Sequence, residues 1–128
     1  MDGEESMDPS RSSSSGFAFV TLIIKPFRLE PVLTALKPFH LVSLTASETR
    51  GYGRQKGHLE LYRGSEYEIS FIPKVKIEAV VADSIAEKVI ATVMEKAKTG
   101  KIGDGKIFVT KIEEVIRIRT GEKGESAI

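Results

Sequence analysis

The sequence predicts an α+β fold, and three observations carry that prediction. Four runs of strand character and two of helical period follow one another in the order β-α-β-β-α-β. The run Phe17 to Lys25 is apolar on both faces, which marks a central, doubly covered strand. The run Lys74 to Ala82 alternates strictly, which marks a strand with one covered face and one polar face. Together they give the ferredoxin-like, split βαβ arrangement: one antiparallel sheet with two helices on one face.

Each element has a local cause. In the first strand Phe17, Phe19 and Ile23 share one face, and Ala18, Val20, Leu22 and Ile24 the other. Pro26 ends it. A short helix spans Leu29 to Lys37, with Leu29, Val32, Leu33 and Leu36 at helical spacing. Pro31 falls in its first turn, where no N–H is missed, and Pro38 stops it. Leu41 to Arg50 is a Thr- and Ser-rich strand. In the third strand Val75, Ile77, Ala79 and Val81 face one side, and Lys74, Lys76, Glu78 and Val80 the other. Asp83 or Ser84 is expected to cap the second helix, with Ser84 and Glu87 in capping-box spacing. That helix carries Ile85, Val89, Val93 and Ala97 beside Ala86, Ile90 and Met94, and ends near Thr99-Gly100. Ile107 to Ile112 is the fourth strand. Ile116 and Ile118 then alternate with Arg117 and Arg119, and Gly121 to Ile128 reads as a loose polar end.

Two helices cannot cover both faces of a four-stranded sheet, yet the first strand is apolar on both. The open face is therefore expected to be buried against other copies of the chain.

At 128 residues the chain suits one domain with a core of its own. Residues 1–16 are Ser-rich and polar, and read as a disordered tail ahead of a folded domain over 17–128. The net charge is +1, with −3 in the first 16 residues and about +4 in the rest. So small a charge gives no field that would draw the chain to nucleic acid or to a membrane surface. There is no cysteine, which excludes disulfides, thiolate metal sites and cysteine nucleophiles. No apolar run approaches the roughly 20 residues of a membrane span. The acidic start lacks the charge and apolar core of a signal peptide, so a cytoplasmic location is expected.

Between the second and third strands runs a connection, residues 51–73, far longer than the roughly 2–5 residues of a hairpin loop. It is punctuated by Gly51, Gly53, Gly57 and Gly64, is basic at its base, and carries Tyr62 and Tyr67 near its tip. Loops of this kind tend to be functional. Ser65 and Tyr67 offer hydroxyls for modification there.

The run Gly100-Lys101-Ile102-Gly103-Asp104-Gly105-Lys106 resembles a phosphate cradle, with N–H groups open to an anion and a lysine at its end. Its spacing nearly matches a Walker A loop. Ile107 stands where Mg²⁺ binding wants Ser or Thr, however, and a strand follows where the motif wants a helix. A plain helix-to-strand turn has the same spacing. Arg117 and Arg119 on one strand face, with Arg54, Lys56 and Lys74, favour the polyanion site. Catalytic signals are weak. His40 has no acidic partner, His58 with Glu60 lies in the loop, and adjacent Glu113 and Glu114 point apart. The residues read more readily as a binding protein than an enzyme.

The chain resembles the P-II nitrogen regulatory proteins. The resemblance rests on Ile24-Lys25-Pro26-Phe27, Gly51-Tyr52-Gly53-Arg54-Gln55-Lys56-Gly57-His58 and Tyr62-Arg63-Gly64-Ser65-Glu66-Tyr67. It extends to Thr99 through Val109 and Val115 through Glu122. It implies a homotrimer with ATP or ADP in clefts between subunits and 2-oxoglutarate beside Mg-ATP. Gly103, Asp104, Gly105 and Lys106 would hold the phosphates, and Arg117 and Arg119 would reach them across the interface. Thr45 and Val80 would line the adenine pocket, closed by the backbone around Gly51 and Arg54. Gln55 would ligate Mg²⁺, and Lys74 would pair with 2-oxoglutarate beside Lys56 and Gly57. Tyr67 matches the uridylylated tyrosine of many members, and Ser65 the serine phosphorylated in cyanobacterial ones.

Ligand state would then set the loop, and the loop would choose the target. Such targets are an ammonium channel, the arginine-pathway N-acetylglutamate kinase, an adenylyl- or uridylyltransferase, or a sensor kinase. Membrane contact would come only through the channel. Two departures from the family pattern are His40-Leu41-Val42-Ser43-Leu44, where glycines are usual, and Pro38, which shortens the first helix. The alternatives are a paralogue serving carbon uptake, a slow ATPase, or an acylphosphatase-like hydrolase; the last would want an Asn and Arg pair that is not evident.

Overall fold

A computed structural model describes residues 15–51 and 72–128. Within them the chain forms β1 (Phe17–Ile24), α1 (Leu29–Leu36), β2 (Ser43–Gly51), β3 (Ile72–Ala82), α2 (Ala86–Ala97) and β4 (Lys106–Lys111). The order β-α-β-β-α-β is the expected one. The four strands form one sheet in the order β2-β3-β1-β4, with every neighbouring pair antiparallel.

β1 lies inside the sheet because it is apolar on both faces. It pairs with β3 from Phe17↔Ala82 to Ile24↔Val75, and with β4 from Ala18↔Lys111 to Ile23↔Lys106. This register stacks Val20, Leu22 and Ile24 beside Val75, Ile77, Ala79 and Val81 on one face. Val32 and Leu36 of α1, and Val89, Val93 and Ala97 of α2, close over them to form a single core. Both helices therefore lie on that face. Burying each of the Val, Leu and Ile side chains among them contributes about 1.5–3 kcal/mol.

The other face carries Phe19, Thr21 and Ile23 of β1 in register with Val80, Glu78 and Lys76 of β3. Thr110, Phe108 and Lys106 extend it on β4, and Ser43, Thr45 and Ser47 on β2. No helix of the described residues covers it. Phe108 is 52% exposed there, an unusual setting for a strand phenylalanine.

Several local expectations need correction. Neither Asp83 nor Ser84 caps α2 through its side chain. A 3₁₀ turn over Asp83–Ile85 precedes the helix, which puts Ser84 inside the turn rather than ahead of it. Asp83 instead donates its N–H to the Gly16 carbonyl (2.9 Å) and pairs with Lys111 (3.4 Å). The α-helix ends at Leu36, just ahead of Pro38, and a 3₁₀ turn over Lys37–Phe39 follows, ended by His40 in the left-handed region (φ 51°). Lys74 belongs by register to the polar face, yet it is 7% exposed. Gly121 to Ile128 is not loose. Gly124 donates to Val115 O (2.9 Å), and Gly124–Ala127 forms a 3₁₀ turn.

Ser15 and Gly16, read from sequence as the end of the tail, are tied to the sheet edge. Ser15 Oγ donates to Ile112 O, and Gly16 O receives the Asp83 N–H. No helix of the described residues is long and apolar enough to cross a membrane.

Candidate functional site

The glycine-rich turn between α2 and β4 packs against the end of β1. Gly105 makes this possible. Its φ is +104°, and a Cβ there would lie 1.7 Å from the Ile23 carbonyl oxygen. Only glycine lets the turn come so close. Gly103 (φ 94°) and Gly100 (φ 85°) also take the left-handed region.

Asp104 holds the turn shut. Its carboxylate accepts hydrogen bonds from Thr99 N (2.8 Å), Gly100 N (2.9 Å) and the Thr99 hydroxyl. Lys25 Nζ adds an ion pair at 3.2 Å. The Thr99 hydroxyl, then the backbone donors and the Lys25 ammonium, hold this carboxyl well below the usual range, against a desolvation penalty that acts the other way. Its side chain thus serves the turn. What remains to a ligand is backbone: the N–H groups of Gly103, Asp104 and Gly105 make no hydrogen bond to any described residue. Adjacent free N–H groups in a tight turn form an anion-binding concavity.

Lys74 completes the cluster. Its ammonium donates to the Gly103 carbonyl. Burial, then the nearby Lys25 and Lys106 ammonium groups, lower its pKa; Asp104 opposes them. Three lysines around one carboxylate leave an excess of positive charge at the turn. Gly51 lies alongside, with 3.4 Å between its would-be Cβ and Lys74 Cγ. Beside Lys74, a cleft of about 400 Å³ is lined by Pro26, Glu48, Thr49, Arg50, Pro73 and Val75. Beyond the turn, on the helix side, Ile24, Val93, Met94, Ala97 and Ile107 line an apolar cleft of about 340 Å³.

The structure therefore brings together Gly51, Lys74 and Gly103 to Lys106. Other residues singled out from sequence stand apart from them. Thr45 and Val80 lie on the open face, on β2 and β3, in register with Glu78 and Ser43. Arg117 and Arg119 do not share a strand face. Ile116 makes one isolated bridge with Lys123, and the chain then turns over 118–120, so Arg119 lies in a turn. Arg117 is engaged locally, with Glu122 Oε1 (3.3 Å) and the Ile128 carbonyl (2.7 Å) as acceptors. Arg54, Gln55, Lys56, Gly57, Ser65 and Tyr67 lie outside the described residues. Among the described residues no cluster of His, Asp or Glu could hold a metal ion.

Sequence reasoning missed Lys25 and Thr99 as parts of the site. The signal was present in the spacing. A threonine just past a helix and an aspartate five residues on, between glycines, are the ingredients of a side-chain-closed turn.

Residues 17–122 match the family model described as nitrogen regulatory protein P-II. The nitrogen regulatory protein P-II of Azospirillum brasilense is 57% identical over 109 residues, covering 85% of this chain and 97% of the relative. That of Rhizobium meliloti is 58% identical, and the nitrogen regulatory protein GlnK of Escherichia coli 57%, with the same coverage. Among solved structures, Arabidopsis thaliana PII bound to citrate is similar with a TM-score of 0.68 and 41% identity. That match covers 88% of this chain and 92% of the plant chain. The chain belongs to the nitrogen regulatory protein P-II family.

Proposed function

We propose that this chain is a non-enzymatic regulator of nitrogen metabolism. It binds ATP or ADP, and 2-oxoglutarate together with Mg-ATP. The bound state sets the conformation of loop 51–73, which docks on target proteins. The observation that carries this reading is the turn over Gly103–Lys106. It has N–H groups with no acceptor among the described residues, a glycine that admits no Cβ, and buried Lys74 within hydrogen-bonding reach.

Phosphates accept from those N–H groups and balance Lys106, while a carboxylate takes Lys74 away from the Gly103 carbonyl. One lysine then reports on both ligands. That is the physical basis for coupling them, since each ligand changes the contact the other meets. The citrate complex of the plant relative supports a site for carboxylates. The described residues offer no protein cage for a cation. Mg²⁺ suits this site if ligand oxygens supply most of its coordination and Gln55 supplies one more.

The cleft is completed between subunits of a homotrimer, with Thr45 and Val80 at the base and Arg117 and Arg119 reaching the phosphates. Arg117 must leave Glu122 and Ile128 to do so. The uncovered sheet face supports that assembly. Tyr67 or Ser65 is the modification site, and charge added there blocks docking. The protein acts in the cytoplasm on an ammonium channel, N-acetylglutamate kinase, a nucleotidyltransferase or a sensor kinase.

Calorimetry of 2-oxoglutarate with and without Mg-ATP tests the proposal. It expects binding only when Mg-ATP is present, and loss of that binding in Gln55→Ala. If ATP binds but 2-oxoglutarate does not, the reading gives way to a nucleotide switch in another pathway.

A further inference from the structure

Lys25 and Thr99 have no assigned role, yet both are spent on the Asp104 carboxylate. Thr99 contributes its N–H and its hydroxyl, and Lys25 its ammonium. With the Gly100 N–H, they supply four donors to a group with about four acceptor positions. The Thr99 hydroxyl is itself saturated. It accepts from Lys25 Nζ (3.1 Å) and from Lys101 N (3.2 Å), which commits its one proton to Asp104. The lock joins three separate segments: Lys25 just after β1, Thr99 two residues past the end of α2, and the glycine turn.

A free carboxylate in this turn would repel the anion the turn is built to hold. Held as it is, Asp104 is turned into the protein, its lone pairs are filled and its charge is matched. We infer that Lys25 and Thr99 are positioning residues of the anion site, which act through Asp104 to set its preference for polyphosphate. The inference rests on the reading above that the turn binds a nucleotide's phosphates. It goes further by predicting that the effect grows with phosphate number. The base and ribose do not meet the lock, whereas each added phosphate meets the turn's charge.

The test uses the full chain and titrates AMP, ADP and ATP into the wild type, Thr99→Val, Thr99→Ser and Lys25→Met. Thr99→Val keeps the shape of threonine but loses the hydroxyl. It is expected to lose about tenfold or more in ATP affinity, progressively less for ADP and AMP. Thr99→Ser restores the hydroxyl and is expected to bind within about threefold of the wild type. Lys25→Met is expected to follow Thr99→Val, and it decides the matter if Thr99→Val does not fold. Loss of all three ligands in equal proportion would indicate general damage and overturn the inference, as would unchanged ATP affinity in Thr99→Val. A wild type that binds none of the three fails differently, because it removes the nucleotide reading itself.

Discussion

Gly105 shows what a single residue decides here. Its missing side chain lets the turn touch the end of β1, and its φ of +104° is one that other residues rarely adopt. Gly105→Ala must push the turn away from Ile23, so it is expected to cost about 2 kcal/mol or more in denaturant unfolding. Gly100 has φ +85° but open space around it. Gly100→Ala is therefore expected to cost only about 1 kcal/mol. Lys74 presents the opposite case. It is buried, and burial with the neighbouring Lys25 and Lys106 ammonium groups lowers its pKa, against Asp104. Lys74→Met has similar volume and is expected to fold with stability within about 1 kcal/mol of the wild type, while losing carboxylate binding. Thermal unfolding and calorimetry on one preparation would check both halves. Strand alternation put Lys74 on the polar face, and register agrees. Its burial was not legible, because it comes from a turn about thirty residues away in sequence that folds over it.

Elements follow hydrophobic period where many residues vote together, and depart from it where one or two residues decide. β1, β3 and both helices lie close to where their patterns place them. The expected cap on α2 failed for a local reason: the Ala82 to Ile85 corner prefers a 3₁₀ turn, with Asp83 drawn to Gly16 and Lys111. Ser84→Ala should accordingly change stability by less than about 0.5 kcal/mol, where loss of a working cap costs about 1. A drop as large as that in chemical denaturation would restore the capping box. The arginine pair failed in a similar way. Ile116-Arg117-Ile118-Arg119 alternates as a strand does, but the Thr120-Gly121 turn cuts it short, with Gly121 N bonded to Arg117 O at 2.7 Å. Alternation over four residues next to a glycine is a weak strand signal.

The whole molecule has one feature that a single chain leaves unexplained. Both helices cover the same face of the sheet, and the other face carries Phe19, Ile23, Val80 and Phe108. Sequence alone pointed there, because β1 is apolar on both sides. Which residues of a second copy meet this face was not legible, because pattern records that a surface is apolar and not what covers it. The proposed self-association across it would also account for Thr45 and Val80 standing apart from the turn within one chain, because the site would then draw on two copies. Phe108→Arg places a charge on that face, on the edge strand β4 beside Thr21. It is expected to convert the proposed trimer to smaller species in analytical ultracentrifugation and to weaken nucleotide binding with it. A variant that stays trimeric would move the interface elsewhere.

A turn over Gly103–Lys106 that receives the ligand's phosphates, as proposed, must register them at its backbone amides. The most direct measurement is the amide ¹H–¹⁵N spectrum of the full chain during titration with ATP. The Gly103, Asp104 and Gly105 amides are expected to shift first and furthest, since their N–H groups, which have no acceptor among the described residues, would gain the phosphate oxygens. If ATP binds while those three amides stay where they are, the phosphates are held elsewhere and the account of the site is wrong.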